Sequence, residues 1–244
     1  VVTMESSSTE LHSGMFGGAA PDALAALVHT LATLRDSDGN TTIDGLESDQ
    51  VWRGEAYPQD QFRSDAAILN GVSILGTGTV SDMLWARPAL TILGIDCPPV
   101  VGSAAAIVPK ASARLTLRIP PGVSPDSAEA ALRAHLISAT PWGIDCVVET
   151  EATGSPFAAE TDGPAYRAFA TAMSEAYGVE MTHLGQGGSI PLCNVFDELY
   201  PDAEIILMGA EEPLALIHAP NESVHPNEIA STALAEALFL QHYA

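Results

Sequence analysis

The clearest periodicity in the chain lies at residues 112–119. Ala113, Leu115, Leu117 and Ile119 alternate with Ser112, Arg114, Thr116 and Arg118. A period of two places the apolar set on one face and predicts a half-buried strand. Pro120-Pro121-Gly122 stops it. Ser124 then suits a helix cap, with Pro125 at the first helical position and Asp126 in the first turn. That helix is expected to end near residue 137, and a further strand is expected near 144–150. At the start, Val1-Val2-Thr3-Met4 reads as a strand already in progress, so the sequence reads as a piece of a longer protein. A helix is predicted over 21–34, with Pro21 opening it and Leu24, Leu27, Val28, Leu31 and Leu34 on one face. Asp36-Ser37-Asp38-Gly39-Asn40 is a turn cluster that ends it.

Residues 47–98 follow no single period. Two apolar runs, 68–75 and 89–95, flank Gly76-Thr77-Gly78, and Pro98-Pro99 closes the stretch. It reads as an insertion of mixed structure. The order strand, helix, insertion, strand, helix, strand predicts an α+β unit over 1–152, with two helices on one sheet face. A boundary is expected near Gly154-Ser155-Pro156. Beyond it, Tyr166, Phe169, Met173 and Tyr177 share a helix face, and Gly178 suits the C-terminal cap. Leu192, Val195, Phe196 and Leu199 mark another helix, and 226–243 a long final one. Glu204-Ile205-Ile206-Leu207-Met208 predicts a short strand covered on both faces. A run of helices around one strand is thin for an independent domain, so 153–244 reads as the closing part of a larger α/β domain.

Composition narrows the function classes. Thirty-one acids face nine bases, a net charge of −22, and Lys110 is the only lysine. Nucleic acid and anionic membrane surfaces both require clustered cations, so neither is an expected partner. The acids are scattered rather than blocked, which suits a solvated surface. No run approaches the roughly 18 apolar residues of a membrane helix. Cys97, Cys146 and Cys193 are an odd number, far apart and without C-x-x-C spacing. That disfavours a disulfide framework or a cysteine metal site and suits a reduced, cytoplasmic protein.

Four places could carry chemistry. His218 lies on a Pro-containing loop after the predicted strand, where it is either a solvated loop histidine or a metal ligand. Gly187-Gly188-Ser189 opens a helix, where exposed amides either accept a simple cap or hold an anionic group. Arg118 ends the polar face of the best strand; in so acidic a chain it is a candidate carboxylate fork as well as a solvated arginine. His12 sits beside a glycine-rich turn. His29, His135 and His242 fall within helices and read as structural, while His183 and His225 read as bystanders.

Taken together, Leu11-His12-Ser13-Gly14, Leu117-Arg118-Ile119-Pro120-Pro121-Gly122, Gly187-Gly188-Ser189-Ile190-Pro191 and His218-Ala219-Pro220-Asn221-Glu222 resemble the co-catalytic zinc exopeptidases. That family includes carnosinase-like dipeptidases, aminoacylases and desuccinylases. The resemblance implies that 1–152 is a ferredoxin-like lid and dimerisation domain and that 153–244 ends a zinc-peptidase catalytic domain. It implies that His12 is offered by the neighbouring subunit of a homodimer and polarises the scissile carbonyl. It further implies that Arg118 clamps the substrate carboxylate, that Gly188 and Ser189 hold the same end, and that His218 binds one of two zinc ions, braced by Asn221 and Glu222. The implied reaction is hydrolysis of an amide bond in a dipeptide or N-acyl amino acid. The family's other zinc ligands and its general base map onto no residue here, so this segment alone is expected to be inactive. Ala104-Ala105-Ala106 is apolar where relatives often carry a polar substrate contact, which leaves the substrate subclass open. The alternative is a non-catalytic dimerisation or binding module without the metal-binding half.

Overall fold

The computed structural model describes residues 1–186, 190–217 and 219–244. In chain order its elements are β1 (Val2–Glu5), β2 (Leu11–His12), α1 (Ser13–Phe16), α2 (Ala23–Ala32), α3 (Gln59–Asp65), β3 (Ala89–Asp96), β4 (Ala106–Ile107), β5 (Lys110–Arg118), α4 (Pro125–Ala139), β6 (Asp145–Val148), α5 (Pro164–Tyr177), α6 (Pro191–Leu199) and α7 (Pro226–Tyr243). A π-helical turn spans Asp82–Ala86 and a 3-10 turn Pro213–Ala215. The chain divides into two compact units, Val1–Trp52 with Ser73–Pro156, and Arg53–Val72 with Phe157–Ala244.

In the first unit the alternating segment is β5, the inner strand of a four-stranded antiparallel sheet ordered β3-β5-β1-β6. With α2 and α4 as the crossovers, this is the ferredoxin-like arrangement. The apolar face of the sheet, Val2 and Met4 of β1, Ala111 and Ala113 of β5 and Leu90 of β3, packs on Leu27 and Leu31 of α2 and Leu136 of α4. Met4, Leu27, Leu90 and Leu136 are almost fully buried; each contributes roughly 1.5–3 kcal/mol. The opposite face is polar. Thr3 and Ser112 share a hydroxyl hydrogen bond of 2.9 Å, and Arg114 pairs with Glu151 at 2.5 Å. His135, buried in α4, accepts from the Asp44 amide at Nδ1 (3.1 Å) and bonds Thr33 Oγ1 through Nε2 (2.9 Å).

Two readings of this unit need correction. The helix expected over 21–34 begins later. Asp22, not Pro21, governs its start, because its carboxylate accepts from the Leu24 and Ala25 amides. Val28 points to solvent. Second, 47–98 is not wholly an insertion, since β3 is an edge strand paired with β5 over seven registered positions. Its alternation fails because a bulge between Ile92 and Gly94 adds Leu93 and shifts the phase. Ile92, Leu93 and Ile95 are left exposed.

In the second unit α5 and α7 pack together, with Phe169 edge-on to Phe239 at 5.6 Å and Tyr177 Oη bonded to Glu228 and Thr232. Gly178 ends α5 in the left-handed region (φ 71°), as expected of the cap. The strand expected at 204–208 does not form. Among the described residues this unit has no strand to pair with it, and a lone strand leaves its backbone groups without partners. Glu204 instead caps α5, its carboxylate accepting from the Ala165 and Tyr166 amides at 2.9 and 2.7 Å. In Arg53–Val72, Tyr57 donates to Asp65 Oδ2 at 2.5 Å, and this bond pushes the phenol up to about 12.

Within the first unit, one buried carboxylate joins the segments at Trp52 and Thr79. Asp82 accepts from the Trp52 amide (2.7 Å) and the Thr79 amide (2.8 Å), and its own amide donates back to Thr79 Oγ1. Burial alone would raise its pKa; these hydrogen bonds and nearby Arg87 outweigh it and hold the carboxyl below its usual value. Its folded pKa is therefore the lower one. The stability it supplies is present above the unfolded value of about 4 and is lost as pH falls through the folded one. Asp82→Asn sets an amide against backbone donors and should cost about 1–3 kcal/mol at neutral pH. The gap from wild type should narrow below about pH 4. Urea unfolding at pH 7 and pH 3 measures both.

Candidate functional site

His12 closes β2, one strand of a two-stranded ribbon with β4 in which it lies opposite Ala106. The ribbon continues β1 and β5 past the end of the main sheet, since Glu5 is opposite Lys110 and the Ser6 amide donates to Pro109 O. Ser13 ties the turn that follows to the ribbon, because its amide (2.9 Å) and its Oγ (2.8 Å) both donate to Ala105 O. The His12 side chain is exposed, but it is not free to rotate. The Gly14 amide donates to Nδ1 at 3.1 Å. A backbone N–H can only donate, so Nδ1 presents its lone pair and the neutral ring carries its proton on Nε2. The ring is therefore set as a hydrogen-bond donor toward whatever approaches the ribbon.

The glycines of this turn are there for room. A Cβ on Gly14 would lie 3.0 Å from His12 Cε1, and one on Gly17 would lie 2.3 Å from the Ser13 carbonyl oxygen. Met15 and Phe16 are exposed beside His12. Sequence reading singled out His12 and left Ser13, Gly17 and the Ala105 carbonyl unassigned. The run His-Ser-Gly followed by Gly-Gly was the available signal, since such density of small residues marks a close backbone approach.

Arg118 ends β5 on the polar face, opposite Ala89 of β3. Its guanidinium is exposed and has neither hydrogen bond nor ion pair among the described residues. Most other arginines are engaged. Arg35 donates to Gly39 O and Leu90 O, Arg87 to Gln50 O and Arg133 to Val148 O, while Arg114 pairs with Glu151. An unneutralised guanidinium in a chain of net charge −22 is available to an external carboxylate, which it can grip through two parallel N–H donors.

The structure does not bring His12 and Arg118 together. β5 is nine residues long, so at about 3.3 Å per residue its ends stand about 26 Å apart. His12 lies beyond one end and Arg118 at the other. Gly188, Ser189 and His218 lie outside the described residues. Asn221 and Glu222 occupy an exposed turn, Asn221 with φ 67° and the Glu222 amide donating to Ala219 O. His225 caps α7 by accepting from the Asn227 amide, His183 stacks on Tyr166, and His242 approaches Glu175 at 3.4 Å. Among the described residues no three His, Cys, Asp or Glu side chains are grouped to hold a metal ion. No helix among them is long and apolar enough to cross a membrane.

Comparison with known proteins gives this geometry a context. A family profile described as a peptidase dimerisation domain matches residues 2–144. The cysteinylglycine-S-conjugate dipeptidase of Corynebacterium striatum is 40% identical over 236 residues, covering 96% of this chain and 52% of that protein. The Cys-Gly metallodipeptidase of Saccharomyces cerevisiae is 24% identical over 256 residues, covering 99% of this chain and 52% of its own length. The chain thus spans about half the length of the curated relatives it matches. Among solved structures, the yeast dipeptidase Dug1p superposes with a TM-score of 0.80 at 20% identity, over 99% of this chain and 53% of that one. At that identity the likeness shows the fold.

The close approach at Gly17 yields a stability prediction. Gly17→Ala drives a methyl into the Ser13 carbonyl and should destabilise the first unit by about 1–3 kcal/mol. Ala19→Gly, which removes a methyl without touching the turn's close approach, should cost less. Urea unfolding of both variants decides it; equal, small effects would mean the turn adapts freely.

Proposed function

Given that the chain belongs to the M20 peptidase dimerisation-domain family, we propose that the protein it forms part of is a metal-dependent dipeptidase. It works as a homodimer whose site combines Arg118 of one subunit with His12 of the other. The substrate is a small peptide with a free carboxylate. A dipeptide is favoured over an N-acyl amino acid because the relatives are named as dipeptidases.

One observation carries this reading: His12 and Arg118 stand at opposite ends of one sheet. An extended dipeptide reaches about 7 Å, far less than the length of β5. The two residues therefore cannot serve one substrate within one subunit. A second copy can offer its own His12 where the first offers Arg118, and two-fold symmetry then builds two such sites. In each, Arg118 grips the carboxylate and fixes register, and His12 Nε2–H donates to the carbonyl oxygen as charge builds on it. A donor in that role is worth about 10²–10³ in kcat.

The metal belongs to the proposal as zinc, two ions per full-length subunit, with His218 as this chain's ligand and Asn221 and Glu222 bracing its loop. Gly188 and Ser189 are proposed to meet the same end of the substrate as Arg118. The described residues offer no ligand group of their own, so the reading needs ligands beyond them. A cytoplasmic setting is proposed because Cys97, Cys146 and Cys193 are free.

Subunit mixing tests the arrangement. In the full-length protein, His12→Ala and Arg118→Ala should each lower dipeptide hydrolysis at least about a hundredfold. Mixed, dissociated and reassociated in equal amounts, they should regain about a quarter of wild-type activity, because half the dimers are hybrids and each hybrid keeps one intact site. Two inactive variants that stay inactive after verified exchange would sink the shared site. Wild-type protein that hydrolyses no dipeptide would sink the dipeptidase reading.

A further inference from the structure

The turn that carries His12 is tied down at two points not used by the chemistry proposed above. The first is the Gly14 amide on Nδ1, at 3.1 Å. Without that donor an exposed neutral imidazole exchanges its proton between the two nitrogens and swings about its side-chain torsions. With it, one tautomer and one ring orientation are favoured. An added Cβ at residue 14 would lie 3.0 Å from Cε1 and 3.3 Å from Nδ1, so a side chain there makes the ring give way by a few tenths of an ångström.

The second point is Ser13. Its amide and its hydroxyl both donate to Ala105 O, a carbonyl 92 residues away in sequence. β2 and β4 pair over only two residues each. So short a ribbon, projecting past the main sheet, frays readily unless something pins it. The paired donors of Ser13 occupy both lone pairs of one carbonyl and clamp the turn to the opposite strand.

We infer that Ser13 and Gly14 are positioning residues for His12, Gly14 selecting the tautomer that presents Nε2–H and Ser13 fixing the peptide from which the ring projects. This rests on the reading of His12 as the donor to the substrate carbonyl, and it adds that the donor is pre-set before substrate arrives. Pre-setting matters because a displacement of about 1 Å at a reacting group can cost about a hundredfold in rate.

The test uses the full-length protein and a dipeptide substrate. Ser13→Ala should lower kcat about tenfold with KM unchanged within about twofold, because His12 acts on the reacting carbonyl and not on ground-state binding. Ser13→Thr keeps the hydroxyl and should recover most of the loss. In a His12→Ala background, Ser13→Ala should have no further effect, since a residue acting through His12 has nothing left to act on. Nitrogen-15 spectra of the His12 ring supply a readout independent of turnover. Wild type should show the Nε2-protonated tautomer, and Gly14→Ala a mixture of both with unfolding temperature nearly unchanged. If His12→Ala lowers kcat while Ser13→Ala and Gly14→Ala match wild type, the positioning inference is overturned and the His12 reading stands. Full loss from Ser13→Ala on top of His12→Ala would also overturn it. If His12→Ala leaves kcat unchanged, the functional reading itself falls, and the inference with it.

Discussion

Everything in the first unit is referred to β5. It pairs with β1 on one side and β3 on the other, its apolar face supplies Ala111 and Ala113 to the core, and its polar face ends in Arg118. A shift of one residue in its register would turn the apolar set to solvent and Arg118 toward the helices. The same strand fixes the distance between the two candidate functional residues. His12 is carried on the ribbon that runs off the Lys110 end, and Arg118 stands at the other. A rigid sheet therefore acts as a spacer, and the spacing is what makes a second subunit necessary to the proposed chemistry.

Hydrogen bonding by the backbone shapes the site as much as its side chains do. The Gly14 amide fixes which ring nitrogen of His12 carries a proton, and the Ala105 carbonyl gathers both donors of Ser13. Electrostatics act differently at Arg118. Most of the other arginines donate to carbonyls or pair with an acid, and in doing so they tie strands and turns together. Arg118 has no such duty among the described residues. Its charge is held at a strand end by backbone pairing alone, which leaves the guanidinium fork open to a ligand.

The fold was legible where burial follows a simple period. The alternation at 112–119, the cap at Ser124 and the Gly178 terminus all appear in the structure close to where the sequence predicts them. The misses have physical causes. At β3 the bulge at Leu93 breaks the alternation, so a strand of the main sheet looks like part of an insertion. At α2 both Pro21 and Asp22 are plausible openers, and the choice goes to the residue whose carboxylate reaches two amides. At 204–208 the apolar run suits a buried strand, but strand formation needs neighbours, and local pattern carries no information about whether they are there.

The sequence by itself determined the helix and strand periods of the first unit, the strongly acidic balance of charge, and which residue types could do chemistry, His12 and Arg118 among them. Those follow from properties each residue or short segment carries with it. Only the tertiary structure decided that His12 and Arg118 lie at opposite ends of one sheet, that the turn carrying His12 is clamped to the opposite strand, and that Arg118 has no acid beside it among the described residues. Each of these depends on residues distant in sequence meeting in space: Glu5 with Lys110, Ser13 with Ala105, Ala89 with Arg118. Register between strands is a property of the pair, and neither strand's own pattern contains it.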